Sequence, residues 1–169
     1  MPPLRLAAIG LLLVLVKIQL GSFTLSLDLL GWLMVVGGMH SLVAVNKWFI
    51  WARNIAVAAV VLQLVLWISP VPALSVLAAL LAQVAALGFV FCVCTALLKG
   101  LGAKDKAYAI TLQVIRVLVP LVTLAHAATG VWQVPAEMPV GWLYPAQLVG
   151  TVVLAVLMWP LGSRYSFSR

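Results

Sequence analysis

The fold of this chain is decided by the stretch PALSVLAALLAQVAALGFVFCVCTALL, residues 72–98, which contains no charged side chain. A helix needs about 20 apolar residues to cross the roughly 30 Å hydrocarbon core of a bilayer, and this stretch is longer than that. A helix built from it is apolar on every face, which is typical of a buried or membrane-spanning helix. The stretch therefore predicts a transmembrane helix.

Further apolar stretches lie on both sides of this one, separated by short polar or Pro/Gly-containing segments. We predict an all-α fold, an integral membrane bundle of about six transmembrane helices. A single transmembrane domain is expected over residues 1–169, because six spans leave no room for a soluble domain. The predicted spans are approximately residues 4–20, 27–45, 51–68, 72–98, 107–130 and 141–159.

The composition supports a membrane location and excludes nucleic acid as a partner. Hydrophobic residues make up 66% of the chain and charged residues 8%, with a mean hydropathy of +1.24. Soluble domains carry roughly 45–50% apolar and about 25% charged residues. The net charge of +7 is expected from the enrichment of Lys and Arg in cytoplasmic loops, and no basic stripe is interleaved with aromatic residues.

The distribution of basic residues predicts that both chain ends lie in the cytoplasm. With the N-terminus inside, only Lys17 falls in an outer loop, and Arg116 lies within a span. The remaining basic residues fall on the cytoplasmic side, as the positive-inside rule requires; they are Arg5, Lys47, Arg53, Lys99, Lys104, Lys106, Arg164 and Arg169. All seven tryptophans fall near predicted span ends, which is typical of the aromatic belts at bilayer interfaces.

The segment between the first two spans has a different pattern. Within residues 19–28, polar and apolar residues alternate from Ser22 to Asp28, a period of two that is typical of a strand. A lone strand in lipid would leave its backbone unpaired, so this segment is expected at the surface or against protein. Lys17 and Asp28 flank it, and we hypothesise that they form an ion pair at the outer face. The alternative is a proton or anion pathway through the same two residues.

Arg116 is the most informative residue for function. It lies roughly 15 Å into the fifth span at 1.5 Å per residue, where an Arg costs about 2.5–3.5 kcal/mol on insertion scales. Such a residue is expected to face protein, a water-filled cavity or a partner. Gln113 shares its helix face, His126 lies farther along the span, and Gln83 lies in the fourth span.

We hypothesise that these four residues, Arg116, Gln113, Gln83 and His126, bind a ligand or partner. No acidic residue is an evident counter-ion for Arg116, which favours an external group. The alternative is a structural anchor, in which Arg116 binds glutamine side chains and carbonyl oxygens and the amides hold helices together.

The sequence gives no catalytic residue, metal site or cofactor site. Cys92 and Cys94 are two apart, so on a helix they point to different faces and cannot act as a chelating pair. They are predicted to be buried small hydrophobic residues. His40 and His126 are predicted at different depths, so they are not expected to bridge a haem. We expect no cofactor, and an enzyme is the least favoured class of function.

The segment from Leu25 to Leu33, followed by Gly37, Gly38 and Leu42, resembles a known family. Its members are small uncharacterised bacterial membrane proteins with a pattern of the type "iDllPdfiGyiLi". In this chain Leu30 joins Gly31 directly, where the family has a Pro-Asp pair between them. The resemblance implies a small polytopic protein of the bacterial plasma (inner) membrane, and it supplies no catalytic residue.

Two functions are compatible with these observations. The first is an accessory or structural subunit that binds a partner protein, a second copy or lipid. The second is a small transporter or substrate-binding membrane component for a polar or anionic solute. A cavity at mid-depth lined by the four hypothesised residues would favour the transporter, whereas a closed bundle with an uncovered apolar face would favour the subunit.

Overall fold

The computed structural model of the chain describes residues 2–20, 23–68, 71–101, 106–131 and 143–164. These residues form six α-helices and one pair of short β-strands. In chain order the elements are α1 (Pro3–Val14), β1 (Lys17–Leu20), β2 (Phe23–Ser26), α2 (Asp28–His40), α3 (Lys47–Ile68), α4 (Pro72–Leu101), α5 (Lys106–Val131) and α6 (Leu143–Arg164). The helical fold class predicted from the sequence is confirmed, with a small hairpin added between α1 and α2.

The first two helices are shorter than the spans predicted for them. α1 ends at Val14 instead of near residue 20, because residues 17–20 pair with residues 23–26 in an antiparallel hairpin. The alternation of polar and apolar residues in this segment favours strands over helix. α2 ends at His40, and residues 41–45 form turns. The all-α description therefore omits one local β-element.

The third and fourth helices begin at residues suited to helix N-termini. The side-chain Oδ1 of Asn46 accepts a hydrogen bond from the backbone N–H of Trp48 at 3.2 Å, which is the geometry of an N-cap. This cap starts α3 at Lys47, four residues before the predicted span. α4 begins at Pro72, where the absent N–H of proline costs no helical hydrogen bond.

The six helices form a closed ring. Each helix packs against its neighbours in the chain, and α6 packs against α1. Arg5, near the start of α1, donates from Nε to the carbonyl oxygen of Trp159, near the end of α6, at 3.5 Å. Its guanidinium also lies 5.5 Å from the centre of the Trp159 ring. These contacts show that α1 and α6 run antiparallel where the ring closes.

The antiparallel arrangement gathers basic residues at one end of the bundle. This end contains the starts of α1, α3 and α5 and the ends of α2, α4 and α6. The basic residues at or near it in the described part of the chain are Arg5, Lys47, Arg53, Lys99, Lys106 and Arg164. Asp28 begins α2 at the opposite end. The bundle is therefore electrostatically asymmetric along its axis.

Glycines allow α1 and α2 to approach each other closely. A Cβ atom at Gly10 would lie 2.5 Å from the carbonyl oxygen of Gly31, and one at Gly31 would lie 2.6 Å from that of Gly10. A Cβ atom at Gly38 would lie 2.6 Å from the carbonyl oxygen of Pro3. Small residues permit such backbone contact between helices. Gly37 and Ser41, which also have small side chains on this part of the chain, are exposed.

Large side chains fill the centre of the ring. The ring of Trp32 from α2 meets that of Phe89 from α4 edge-on, with centroids 5.4 Å apart and an angle of 88° between planes. Both side chains are buried, as are Met39 of α2 and Met158 of α6. An edge-to-face aromatic pair contributes about 0.5–1.5 kcal/mol beyond the area it buries. The core is therefore packed across the ring and not only between neighbouring helices.

Two helices of the described chain are long and apolar enough to cross a membrane. They are α3, residues Lys47–Ile68, and the segment Leu77–Gly100 of α4. These helices qualify by length and composition, and 22% of the apolar 18-residue stretch of α3 and 33% of that of α4 is buried inside the structure.

Candidate functional site

Arg116 lies on the seam between α4 and α5, on the outside of the bundle. The neighbouring residues Leu112, Ile115 and Val119 of α5 are buried, and Arg116 is half-buried on the flank that faces α4. Its Cζ atom lies 4.9 Å from the centre of the Phe91 ring of α4. Phe91 is itself 40% exposed. The site is therefore a surface seam and not an interior cavity.

The contacts made by Arg116 leave part of its charge uncompensated. A cation over an aromatic ring contributes about 0.5–2 kcal/mol, whereas an Arg at the centre of a bilayer costs about 2.5–3.5 kcal/mol on insertion scales. Its Nε atom is buried and has no hydrogen-bond partner within the described ranges. In a bilayer, stacking on Phe91 would offset only part of this cost, and the guanidinium would retain capacity to bind an anion.

Of the four hypothesised binding residues, the three whose side chains are described, Arg116, Gln113 and Gln83, do not meet in an interior cavity. Gln113 lies on the same side of α5 as Arg116 and is exposed, and Gln83 is exposed on α4. The side chain of His126 lies outside the described residues. Because these helices are apolar on all faces, the sequence pattern alone could not show which face points inward.

Lys17 and Asp28 lie at the same end of the hairpin. The strand register places Lys17 opposite Ser26, two residues before Asp28, and Asp28 occupies the first turn of α2. A carboxylate in this position interacts favourably with the helix dipole. The side chain of Lys17 lies outside the described residues, so the ion pair stays a prediction.

The interior cavity is small and mainly apolar. It has a volume of about 80 Å³ and is lined mostly by aliphatic and aromatic residues, with Thr151 as a hydroxyl side chain. A larger groove of about 260 Å³ lies between α5 and α6, and its lining is also aliphatic apart from Thr111. The Thr111 hydroxyl donates to the carbonyl oxygen of Ala107 at 3.0 Å. Neither space is lined by Arg116, Gln113 or Gln83.

Cys92 and Cys94 are free and buried, as the sequence predicted. Among the described residues, no three or more His, Cys, Asp or Glu side chains are grouped so that they could hold a metal ion. In the same part of α4, the Thr95 hydroxyl donates to the carbonyl oxygen of Phe91 at 2.7 Å. This bond satisfies the hydroxyl locally and leaves it out of any wider polar network.

Three residues that the sequence did not connect with Arg116 form a chain of contacts that leads to it through Phe91. The Nζ atom of Lys99 lies 5.1 Å from the centre of the Trp48 ring. The Trp48 ring lies 6.3 Å from that of Phe91, with 69° between their planes. These residues come from α3 and α4, and no sequence spacing connects them to Arg116 on α5. The only feature of the sequence that set Trp48 and Lys99 apart was their position near the ends of predicted helices.

No family model, curated protein or solved structure matches the chain.

Proposed function

We propose that this chain is a six-span protein of the bacterial plasma (inner) membrane, with both ends in the cytoplasm. We further propose that it acts as an accessory or structural subunit. Its outer surface binds a partner protein, a second copy of the chain or lipid. The α4–α5 seam around Arg116 is the polar part of that surface.

The exposed apolar surface supports the membrane location. Large hydrophobic side chains are exposed on every helix, including Ile68 of α3 at 77% and Ile110 of α5 at 65%. Monomeric soluble proteins rarely expose contiguous apolar patches larger than a few hundred Å². Lipid would solvate this surface, and the basic end of the bundle would face the cytoplasm, where Lys and Arg are enriched.

In this proposal, α1 and α2 cross the bilayer with the help of the hairpin. α1 has 12 residues and α2 has 13, which gives roughly 18–20 Å at 1.5 Å per residue and falls short of a core of about 30 Å. Each strand adds 4 residues, about 13 Å at 3.3 Å per residue. The hairpin would therefore continue from the helix ends to the outer interface. Its edges would pack against protein within the bilayer and meet headgroups and water at the surface.

One observation supports the subunit over the transporter. The described members of the hypothesised polar set, Arg116, Gln113 and Gln83, lie on the outside of the ring, while Trp32 and Phe89 fill its centre. A transporter would need these polar groups to line an internal path. A subunit or lipid-binding protein needs them where a neighbouring molecule can reach them.

The proposal is tested by mild purification of the protein from its native membranes, followed by mass spectrometry of everything that co-elutes. We expect a second protein at fixed stoichiometry, a defined oligomer or a retained lipid. Arg116→Ala should reduce what co-elutes, whereas Arg164→Ala, near the end of α6, should not. A lone protein that carries a polar solute and transports it in vesicles would contradict the proposal.

A further inference from the structure

Four side chains on the outer surface of α3, α4 and α5 form a series in which two aromatic rings lie between two cations. Lys99 lies over Trp48, Trp48 meets Phe91, and Arg116 lies over Phe91, at the separations of 5.1, 6.3 and 4.9 Å given above. We call this series the cation–aromatic ladder. Each end of the ladder is a cation, and the two rings lie between them.

The positive charge of the ladder has no counter-ion on its own helices. The sequences of α3, α4 and α5 contain no Asp or Glu. Within the described ranges, the Nε of Arg116 and the Nε1 of Trp48 are buried and have no hydrogen-bond partner. The only acidic residue of the described ranges, Asp28, lies at the other end of the bundle. Within the described ranges, the cations of the ladder therefore have no acidic partner, and an anion from outside these helices would complement their charge.

The ladder begins near the basic end of the bundle and extends toward its middle. Trp48 is the second residue of α3, and Lys99 is two residues from the end of α4. Arg116 is ten residues into α5. Helical side chains tilt toward the N-terminus of their helix, so the guanidinium of Arg116 is directed back toward this basic end. The ladder would cross the depth of the headgroups and the first carbons of the cytoplasmic leaflet.

The surface beside the ladder is apolar. Val114 and Val117 of α5 and Val84 of α4 are exposed, as is the face of Phe91. An occupant that uses both the cations and this surface must be amphiphilic, with an anionic group at the level of Lys99 and hydrocarbon below it. Free phosphate would leave the apolar surface uncovered. A carboxylate on a partner helix would meet Arg116 at depth but not Lys99 at the interface.

We propose that the cation–aromatic ladder is a binding site for an anionic phospholipid of the cytoplasmic leaflet. Lys99 binds the phosphate, Arg116 donates to the ester oxygens beneath it, and an acyl chain lies along Phe91 and the exposed valines. Basic residues between transmembrane helices on the cytoplasmic side are suited to such headgroups. This proposal depends on the proposed membrane location. It adds that the lipid bound at the α4–α5 seam is an anionic phospholipid.

The test is native mass spectrometry of the full-length protein in detergent, titrated with phosphatidylglycerol and with phosphatidylcholine of the same acyl chains. We expect the wild-type protein to retain phosphatidylglycerol preferentially. The double variant Lys99→Gln/Arg116→Gln should lower the phosphatidylglycerol affinity about thirtyfold, given the contribution of each cation near anionic lipid. Phe91→Leu keeps an apolar side chain but removes the ring beneath Arg116, and it should lower this affinity several-fold.

The matched control is Lys47→Gln/Arg53→Gln. It removes the same charge from the same end of the bundle, and neither residue belongs to the ladder. We expect this control to keep the lipid preference, and circular dichroism melting should show that every variant is folded. An equal loss in the two double variants would overturn the site in favour of general charge attraction.

Two further outcomes would also overturn the lipid site. The first is a wild-type protein without lipid preference. The second is a protein partner released by Arg116→Gln alone, which would assign Arg116 to a partner carboxylate. Failure of the membrane proposal itself has a separate signature, since the protein would then be recovered from cells without detergent.

Discussion

At the residue scale, the clearest contrast is between two phenylalanines two positions apart on α4. Phe89 is fully buried against Trp32 in the centre of the ring, whereas Phe91 is 40% exposed and lies beneath Arg116. Both belong to the same uninterrupted apolar sequence. One contributes to the packing of the core, and the other positions a cation at the surface.

We expect Phe89→Ala to lower the free energy of unfolding by about 3–5 kcal/mol, because it leaves a cavity beside Trp32 that the packed ring cannot fill. Phe91→Ala should cost about 1 kcal/mol or less, since it removes a partly exposed ring and one cation–π contact. Thermal melting in detergent, followed by circular dichroism, measures both. Equal destabilisation by the two substitutions would contradict the assignment of Phe89 to the core.

At the element scale, the packing of α1 against α2 depends on where the glycines of α2 point. Gly37 and Gly38 are adjacent, but a Cβ atom at Gly37 would lie 3.6 Å from the Leu6 side chain, an ordinary contact. At Gly38 the nearest atom is a backbone oxygen of α1 at 2.6 Å. A backbone atom cannot move aside without displacing the helix.

Gly38→Ala should therefore force α1 and α2 apart and destabilise the protein by about 1–3 kcal/mol, the usual cost of overpacking. Gly37→Ala is the matched control, and it should be neutral or stabilising by up to about 1 kcal/mol because alanine favours helix. Melting temperatures of the two variants in one detergent would decide the matter. A stable Gly38→Ala protein would show that the two helices are not in backbone contact.

At the scale of the whole molecule, the closed antiparallel ring determines which ends lie together. It places the described basic residues, apart from Arg116 and the hairpin residue Lys17, at or near one end, and Arg5 of α1 contacts Trp159 of α6 there. With an even number of spans, both chain ends lie on the same side of a membrane. In the six-span arrangement proposed above, the enrichment of Lys and Arg at the basic end predicts that this side is the cytoplasm.

The topology can be tested with two reporters, a phosphatase that is active only outside the cytoplasm and a fluorescent protein that matures only inside it. Fused after residue 169, the fluorescent protein should be bright and the phosphatase inactive. Fused after residue 137, between α5 and α6, the two should give the opposite result. Phosphatase activity at residue 169 would exclude an arrangement with both ends in the cytoplasm.

Part of the candidate site could be predicted from the sequence. Arg116 is identifiable because a charge within an apolar run is costly wherever the helix lies. Phe91, which contacts Arg116, and Trp48, which contacts Phe91, could not be identified. They lie on other helices, and aromatic residues are common in apolar runs. The outward orientation of Gln113 and Gln83 was also not predictable, because a helix that is apolar all round gives no sign of its inner face.

The sequence by itself determined the helical class, the number of helices and the gathering of charge toward one end, because these follow from composition and from the spacing of polar residues along the chain. The strand-like segment was also visible in its period of two. Only the tertiary structure decided that the ring closes, that α1 and α2 stop short and that the ladder faces outward. These properties depend on which helix faces meet in space. Because the faces of these helices are nearly equal in polarity, packing selects the inner face, through the contact of glycines with the backbone of the next helix and of aromatic rings with each other.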